Sequence, residues 1–359
     1  MRRLIVWCAF VLAFVLSGQA AAQDINARIS PELPYAEPVR QGQALNFDVI
    51  VANQSQAMVE LSSIEVTYLD ARGSVLFQRE ADANGSNPSI NTMAGRVIGV
   101  GEGRMFFNPF PVIAPELAVS SARVRMEFSV EGQDATLEVI ANRDVRRDAT
   151  VNVRLPLRGN LLVWSAHDLM AHHRRFDYAI PDVRAFGINS NSGRYGYDFV
   201  MLDSEGRRFV GDENDAENWV GFNAPVMAPG DGVVVEVRSD MPDNGEWDQS
   251  QIPTDPNIIF GNHIIIEHAP GQFFVLAHLR QNSPSVRVGE RVRQGQVIAA
   301  LGHSGSSLFP HLHFQAIDSP SFLGEGIPSN FENFDRLAGG AAIRVRRGSV
   351  ETGDYVRPR

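Results

Sequence analysis

The sequence predicts an all-β protein in which an N-terminal immunoglobulin-like β-sandwich is followed by a compact antiparallel β domain. Between residues 31 and 156, short segments alternate apolar and polar residues with the period of two that is typical of strands. In the second half, glycine-containing turns separate short apolar segments. The 3.6-residue period of amphipathic helices is nearly absent from both halves, so we expect helices to contribute little.

The length and the first residues of the chain predict two domains behind a leader. A chain of 359 residues exceeds the ~100–200 residues of one ordinary domain. Arg2 and Arg3 precede an apolar run and then small residues, which is the layout of a cleaved secretory signal. The run is shorter than the ~18 apolar residues of a membrane span, so no transmembrane segment is expected in the mature chain. We predict a signal peptide over residues 1–22, a β-sandwich over 23–156, a second β domain over 157–330 and a C-terminal extension over 331–359.

Composition excludes several classes of function. The single cysteine, Cys8, lies inside the predicted leader, so the mature chain has no disulfide, cysteine-ligated metal or cysteine nucleophile. The formal net charge of −10 argues against binding to nucleic acid. All nine histidines lie between His167 and His313. Such a cluster in a cysteine-free region indicates a histidine-ligated metal site.

The sandwich prediction rests on well-separated alternating segments. They include residues 45–51, 64–68 and 124–130, and each of them is followed by turn residues: NQS at 53–55, DARG at 70–73 and EGQD at 131–134. Titratable side chains in this region do not group into a candidate site. We therefore expect the sandwich to be either a binding and positioning module or a spacer.

The second domain is predicted from a series of hairpins. Residues 226–237 form two strands around a Gly-Asp-Gly turn, residues 262–279 form a hairpin, and residues 288–299 form two short strands around a further turn. The last strand of this series carries His311 and His313. The predicted domain is therefore compact, antiparallel and nearly free of helix.

The segment 310–314 reads PHLHF and forms the centre of the predicted site. Side chains alternate across a strand, so His311 and His313 share one face. One imidazole can then bind a metal while the other faces the substrate. The alternative is a pair of ordinary histidines on the wet face of a strand, because so short a pattern also occurs by chance.

Five motifs follow one another in order between residues 160 and 320. They read APGDGVV at 228–234, GNH at 261–263, LAHL at 276–279, VGxxVxxGQ at 288–296 and GxSGxSxxPHLHF at 302–314. Together they resemble the lysostaphin/LytM-type zinc metallopeptidases, which cut peptide bonds in bacterial peptidoglycan. Each motif alone is weak, but five in the same order are specific.

The resemblance implies a zinc site and a catalytic pair. In that family one histidine, one aspartate and the second histidine of His-x-His hold the zinc, and two further histidines assist catalysis. Carried over to this chain, His313 becomes a ligand, and His278 and His311 become the catalytic pair. The aspartate falls on Asp198, in the segment RYGYDF at 194–199.

The first histidine ligand departs from the commonest family pattern. The usual position, four residues before the aspartate, holds Arg194, which cannot ligate zinc because it stays protonated. In another branch the ligand lies further upstream in a His-Arg-Arg context, which His173 fits, with His172 as the neighbouring alternative. His173 and Asp177 reproduce the usual spacing by themselves, but Asp198 lies in the better strand pattern. We therefore predict His173 and Asp198 as ligands.

The chemistry of this donor set supports hydrolysis on its own. Two histidines and one carboxylate leave a tetrahedral zinc with one open position. Zinc lowers the pKa of a bound water to about 7 and polarises a carbonyl group. A histidine, with an ordinary pKa of about 6.5, can accept the proton of that water or stabilise an oxyanion.

The sequence therefore predicts an exported zinc metallopeptidase, periplasmic or at the cell surface, that hydrolyses peptidoglycan peptides. Three alternatives stay open: a non-catalytic member of the same fold that binds the wall or activates an amidase, a biotinyl- or lipoyl-type domain, and a secreted peptidase that acts on proteins. A biotinyl- or lipoyl-type domain needs an acceptor lysine, and the hairpin at 289–295 contains none. We expect His263 and His268 to be packing or supporting groups, and His303 to lie in a solvated turn.

Overall fold

The computed structural model describes residues 25–134, 136–147 and 150–359. The signal peptide predicted for residues 1–22 lies outside these ranges. Within them, no helix combines the length and the apolar character that crossing a membrane requires. Strands dominate both halves of the described chain, so the all-β prediction is confirmed.

Two main antiparallel sheets build the first half of the chain. Strands β1, β4 and β8 form one sheet, strands β11, β10, β5 and β6 form the second with β7 beside β5, and β2, β3 and β9 form a small third sheet. The bounds are β1 (Ile25–Ser30), β2 (Ala36–Val39), β3 (Gly42–Leu45), β4 (Asp48–Asn53), β5 (Val59–Leu69), β6 (Val75–Ala81), β7 (Val97–Ile98), β8 (Gly103–Phe107), β9 (Val112–Ile113), β10 (Ser121–Val130), β11 (Thr136–Asp144) and β12 (Val151–Val153).

The predicted alternation places one apolar core between these sheets. Every second residue of β10 is buried, and Val124 and Met126 lie opposite Val66 and Ile64 of β5. Phe47, which precedes β4, joins the same core. The core follows from the period of two that the sequence shows. The immunoglobulin-like character of the sandwich stays a prediction.

The second half is organised around one large sheet. Its bounds, together with those of the small β15–β20 sheet, are β13 (Asn160–Ser165), β14 (Tyr197–Leu202), β15 (Pro225–Met227), β16 (Gly232–Arg238), β17 (His263–Ala269), β18 (Gln272–Ala277), β19 (Arg291–Val292), β20 (Val297–Ala300), β21 (Leu312–Ile317), β22 (Gly326–Ile327), β23 (Ser329–Ala338), β24 (Ala341–Gly348) and β25 (Tyr355–Pro358). The strand order is β12-β23-β25-β13-β14-β21-β18-β17-β16-β19, with β22 on β21 and β24 on β23.

Helices are short and lie in the connections. The α-helix α1 spans Pro181–Ala185. The 3-10 helices span Ser89–Thr92, Ser192–Tyr195, Ala216–Asn218, Gln249–Gln251 and Pro256–Phe260.

The two faces of the large sheet have different roles. On β14 and β21, Tyr197, Phe199 and Phe314 point into the main apolar core of the second half. Asp198 and His313 are register partners on the same two strands, and side chains of neighbouring positions point to opposite faces. The polar pair therefore lies on the face turned away from that core.

The C-terminal segment continues the large sheet. Strand β23 pairs with β12 in parallel, and β25 pairs with both β13 and β23. The predicted boundaries at residues 156 and 330 stay predictions. In the described chain, the segment 331–359 contributes strands beside those of the predicted second domain.

A small apolar cluster joins the two halves. Met105 and Phe107 of β8 pack with Tyr178, Ile188 and Ile258 from the second half. The sandwich therefore contacts the connection between β13 and β14. This connection also carries His173, one of the predicted metal ligands, and its alternative His172.

Candidate metal centre

Asp198 and His313 form the strand-borne part of a polar cluster. His313 Nδ1 lies 2.9 Å from Asp198 Oδ1. On the other side of the ring, His313 Nε2 lies 2.8 Å from Gln315 Oε1. All three side chains are buried. Because Asp198 and His313 are register partners, the sheet itself sets the distance between the carboxylate and the ring.

His278 follows β18 directly and has an unusual backbone conformation. Its φ is +60°, in the left-handed region that residues with a side chain rarely adopt. The backbone N–H of His278 donates to Phe260 O at 2.9 Å, and Nδ1 donates to Ser304 O at 2.9 Å. A carbonyl oxygen only accepts hydrogen bonds, so Nδ1 carries a proton. A strained conformation at a buried histidine points to a functional role for the ring.

The loop that holds His278 is packed backbone against backbone. Ser304 Oγ accepts the N–H of Asn262 at 2.9 Å. Gly305, with a φ of +67°, lies so close to Gly261 that a Cβ on Gly305 would be 2.3 Å from the Gly261 nitrogen. Glycine is required there because no side chain fits. The Gly-Ser motif therefore fixes the Ser304 carbonyl, which accepts the hydrogen bond from His278 Nδ1–H.

His311 lies one residue before β21. The strand predicted to carry both histidines begins at Leu312, one position later than expected. His311 Nδ1 donates to Phe309 O at 2.7 Å, and Nε2 lies 3.3 Å from Asp198 Oδ1. The ring centroid is 4.8 Å from that of His278. The ring therefore still reaches the carboxylate.

Two adjacent histidines approach Asp198 from the histidine loop, residues 166–191. His173 Nδ1 donates to Ala166 O at 3.3 Å, and Nε2 lies 3.4 Å from Asp198 Oδ1. His172 Nε2 lies 3.4 Å from Asp198 Oδ2, but its side chain is 65% exposed, against 9% for His173. Ligand atoms of His172, His173 and Asp198 all lie within 4.8 Å of one another. Both neighbouring histidines are therefore within reach of a metal.

Burial and charge act against each other in this cluster. Burial alone would raise the pKa of Asp198, but His173 and His311 hold that pKa well below its usual range. Burial lowers the pKa of His278 strongly and also lowers the pKa of His313. Burial would lower the pKa of His311 as well, yet the Asp198 carboxylate raises it. The arrangement favours an ionised Asp198 carboxylate and neutral rings at His278 and His313.

The donor set fits a divalent cation such as zinc. A neutral imidazole has one N–H, so His313 can donate to Asp198 or to Gln315 but not to both. His173 and His311 use Nδ1–H for backbone carbonyls, so Nε2 of each ring is turned toward the carboxylate and can offer its lone pair to a cation when it carries no proton. Imidazole nitrogens and a carboxylate oxygen are ligands that suit zinc.

The predicted site residues come together in the structure. A cavity of about 550 Å³ is lined by His173, Asp198, His278, His311 and His313. Their separate roles as ligands and catalysts stay predictions.

The rival carboxylate, Asp177, has a different environment. Its Oδ1 accepts the backbone N–H of Ala179 at 2.9 Å. Among the described residues, its side chain forms no ion pair with a histidine, whereas Asp198 contacts four. The geometry therefore favours Asp198 as the carboxylate of the site.

The other predicted histidines lie outside the cluster. His263 is buried, and its Nε2 lies 2.9 Å from Glu236 Oε1. His268 is exposed. His303 is partly buried, and its Nδ1 lies 2.9 Å from Ser307 Oγ. These contacts agree with supporting roles rather than direct chemistry.

Two polar residues that contact this cluster, Gln315 and Asn191, were not predicted from the sequence. Gln315 follows His313 by two positions, so the strand alternation that predicts a shared face for the histidines also places Gln315 there. Asn191 Nδ2 donates to His173 O at 2.9 Å across 18 positions. No local pattern indicates that second contact, because it depends on how the histidine loop folds back.

Apolar side chains surround the polar cluster. The cavity is also lined by Trp164, Phe176, Phe260, Leu308, Phe309 and Phe322. Trp164 packs edge-on against Phe309 with ring centroids 5.2 Å apart, and Leu308 is 88% exposed. A ligand bound in this cavity would therefore contact these apolar side chains beside the polar cluster.

A known family model matches part of the second half of the chain. Residues 220–322 match the sequence model of peptidase family M23. This segment is a peptidase M23 domain. The matched range contains His278, His311 and His313, whereas Asp198 and the histidine loop lie upstream of it. The family resemblance inferred from the five motifs is confirmed.

Similar proteins match this chain over limited ranges. The chain is 26% identical over 144 residues to the cell division protein DipM of Caulobacter vibrioides, and this match covers 39% of this chain and 21% of DipM. It is 33% identical over 106 residues to the peptidoglycan DD-endopeptidase ShyC of Vibrio cholerae, and that match covers 30% of this chain and 19% of ShyC. The chain thus spans about a fifth of the length of these relatives.

A solved structure of the catalytic domain of lysostaphin, an antimicrobial peptidase from Staphylococcus simulans, is also similar. The identity is 22% and the TM-score 0.25, and the match covers 47% of this chain and 88% of that chain.

Proposed function

We propose that the chain is an exported zinc metallopeptidase that hydrolyses peptide bonds in bacterial peptidoglycan. The M23 domain at residues 220–322 supports the reaction class. The relative ShyC, a peptidoglycan DD-endopeptidase, supports the substrate class. The secretory layout of residues 1–22 supports a periplasmic or cell-surface location.

One observation carries this proposal. Nitrogens of His172, His173, His311 and His313 lie between 2.9 and 3.4 Å from the buried Asp198 carboxylate. Such a convergence of imidazoles on one carboxylate is the donor chemistry of a metal site rather than of a hydrophobic core.

The proposed ligands are His173, Asp198 and His313. When bound, zinc would supply a Lewis acid for the scissile carbonyl and an acidified water. The chain contributes the orientation of the ligands: the sheet register aligns Asp198 with His313, and the Ala166 carbonyl fixes the tautomer of His173. On the opposite side of the His313 ring from Asp198, Gln315 Oε1 accepts the hydrogen bond from Nε2–H.

His278 and His311 are the proposed catalytic pair. Each ring donates Nδ1–H to a backbone carbonyl, of Ser304 or Phe309. Both rings therefore have a fixed tautomer and a fixed direction, and Nε2 of His311 lies 3.3 Å from Asp198 Oδ1. One Nε2 can accept the proton of the attacking water, and the other can stabilise the oxyanion or protonate the leaving amine.

Digestion of purified peptidoglycan by the full chain tests this proposal. We expect soluble peptides with new amino and carboxyl ends, which mass spectrometry identifies. A zinc chelator should abolish the release, and added zinc should restore it. Asp177→Asn is the matched control, because that carboxylate lies outside the histidine cluster, and it should stay active.

The other outcomes would contradict the proposal. Tight binding to peptidoglycan without any peptide release, even in excess zinc, would favour a non-catalytic wall-binding role. Release that requires an added amidase would favour an activator. Cleavage of unfolded proteins but not of peptidoglycan would keep the zinc chemistry and reject the substrate.

A further inference from the structure

Asp48 of the sandwich binds two arginines of the second half. Asp48 Oδ1 accepts from Arg174 Nη1 at 2.5 Å, and Oδ2 accepts from Arg194 Nη1 at 2.6 Å. The side chains of all three residues are fully buried, with 0% exposure. The opposing charges of the arginines hold the pKa of Asp48 below its usual range despite its burial.

The arginines satisfy their remaining donors within the same cluster. Arg174 Nη2 donates to Phe47 O at 2.7 Å, and Arg194 Nε donates to Glu325 Oε1 at 2.6 Å. Two carboxylates thus face two guanidinium groups. A buried charge is tolerated only when it is paired and hydrogen-bonded. Removing the Asp48 charge would leave the cluster with an uncompensated positive charge.

The ion cluster is linked to the proposed metal ligands along the chain and through Asn191. Arg174 follows His173 in the chain, and Arg194 lies four positions before Asp198. Asn191 connects the two sides, because its side chain donates to His173 O at 2.9 Å and its N–H approaches Glu325 Oε2 at 3.4 Å. A shift of Arg174 would therefore move His173.

A second sandwich carboxylate holds the beginning of the histidine loop. Glu37 Oε2 lies 3.2 Å from His167 Nε2, and both side chains are buried. Asn46 donates to Glu37 Oε1 at 2.6 Å and accepts from Arg174 Nε at 3.3 Å. Side chains of the sandwich thus contact the histidine loop at His167, before His173, and at Arg174, after it.

We propose that Asp48 is a positioning residue of the metal centre, so that the sandwich completes the site instead of acting as a spacer. This inference rests on the proposed function, since it assumes that His173 and Asp198 bind zinc. Asp48 fixes Arg174 and Arg194, and these arginines fix the loop that presents His173. A chain without this anchor keeps the strand-borne pair but presents His173 in many orientations.

The test compares Asp48→Asn with Met126→Ala in the full chain. Asn keeps the size of the side chain and removes its charge. Met126 is fully buried in the sandwich core, so Met126→Ala destabilises the sandwich without touching the ion cluster. Zinc affinity is measured by competition with a chelator, well below the melting temperature of each variant. Cobalt-substituted samples report ligand geometry through their visible absorption, and hydrogen exchange reports the order of residues 166–191.

We expect Asp48→Asn to lower zinc affinity by about 10-fold, the lower end of the ~10–100-fold loss for a group bonded directly to a metal ligand, because Asp48 acts through the arginines. The cobalt spectrum should change, and exchange in the histidine loop should rise. Met126→Ala should lower the melting temperature and leave affinity and spectrum unchanged. A merely structural role for Asp48 would make both variants behave alike.

Other outcomes separate this inference from the proposed function. A folded Asp48→Asn protein with wild-type zinc affinity and cobalt spectrum would overturn the positioning role and leave the zinc peptidase intact. A wild-type chain that binds no zinc would overturn both. If Asp48→Asn does not fold, Tyr178→Phe replaces it, because the Tyr178 hydroxyl lies 3.1 Å from Asp48 Oδ2 and 3.3 Å from Arg194 Nη2. Its affinity should fall by a smaller factor, and an unchanged affinity would reject the inference.

Discussion

The two parts of the candidate metal centre are held in different ways. Asp198 and His313 stand on neighbouring strands, and backbone hydrogen bonds on both sides fix their register. His172 and His173 stand on a loop whose only regular element among the described residues is the five-residue helix α1. The loop depends on side chains of the sandwich, and the Arg174–Asp48 contact spans 126 positions.

Because of this difference, the two parts of the site should respond differently to substitutions in the sandwich. A strand pair is stabilised by the many cooperative contacts of its sheet, whereas a loop-borne ligand depends on a few specific contacts. We therefore expect changes in the sandwich to act on His173 first. The geometry between Asp198 and His313 should survive such changes.

Loss of the central carboxylate should have the largest effect. Asp198→Asn removes the charge that four histidine nitrogens approach. We expect zinc affinity to fall by more than about 100-fold, because loss of an outer partner alone costs ~10–100-fold, and peptidoglycan cleavage should disappear. Metal analysis after dialysis and the peptide-release assay measure both. Asp177→Asn as the control should match the wild type; the reverse pattern would move the site upstream.

The loop-borne ligand should be one histidine of the adjacent pair. His173→Ala should lose most of the zinc because the buried, carbonyl-bonded ring presents Nε2 in a fixed direction. His172→Ala should retain zinc, since that side chain is 65% exposed and its ordering is costly. Zinc titration of both variants decides between them. Zinc loss confined to His172→Ala would exchange their roles.

Variants of the catalytic pair should lose turnover but keep the metal. His278→Ala and His311→Ala should each keep zinc and lower the rate of peptide release by ~10²–10⁴-fold, the usual contribution of one acid–base group. His313→Ala is the contrasting variant and should lose the metal. Equal loss of zinc from all three variants would make the assigned roles wrong.

The smallest of these effects should come from Gln315. Gln315→Leu removes the oxygen 2.8 Å from His313 Nε2, so zinc affinity should fall by ~10–100-fold. Gln315→Glu keeps an acceptor at that place and should retain zinc. Similar affinity in the two variants would show that the ring needs no partner on that side.

Much of the strand-borne part could be predicted from the sequence. Period-two alternation identifies β14 and β21, and it places His313 and Gln315 on one face. The five motifs indicate His278, although its positive φ depends on Phe260 and Ser304 contacts that no local pattern shows.

The loop-borne part could be predicted only in outline. The sequence shows that Arg194 cannot ligate zinc, but not that it pairs with Asp48 across 146 positions. Two charged side chains so distant in sequence meet only after both halves have folded. For the same reason, the pairing of β23 with β12 and β25 could not be predicted from a C-terminal segment read alone.

Zinc-edge anomalous diffraction from crystals of the zinc-loaded full chain would locate the metal and its ligands. We expect one peak in contact with His173 Nε2, an Asp198 oxygen and His313 Nδ1, at about 2.0–2.2 Å from each. His278 and His311 should lie beside it without replacing these ligands. A peak held without His173 or without Asp198, or no peak at this cluster, would contradict the account.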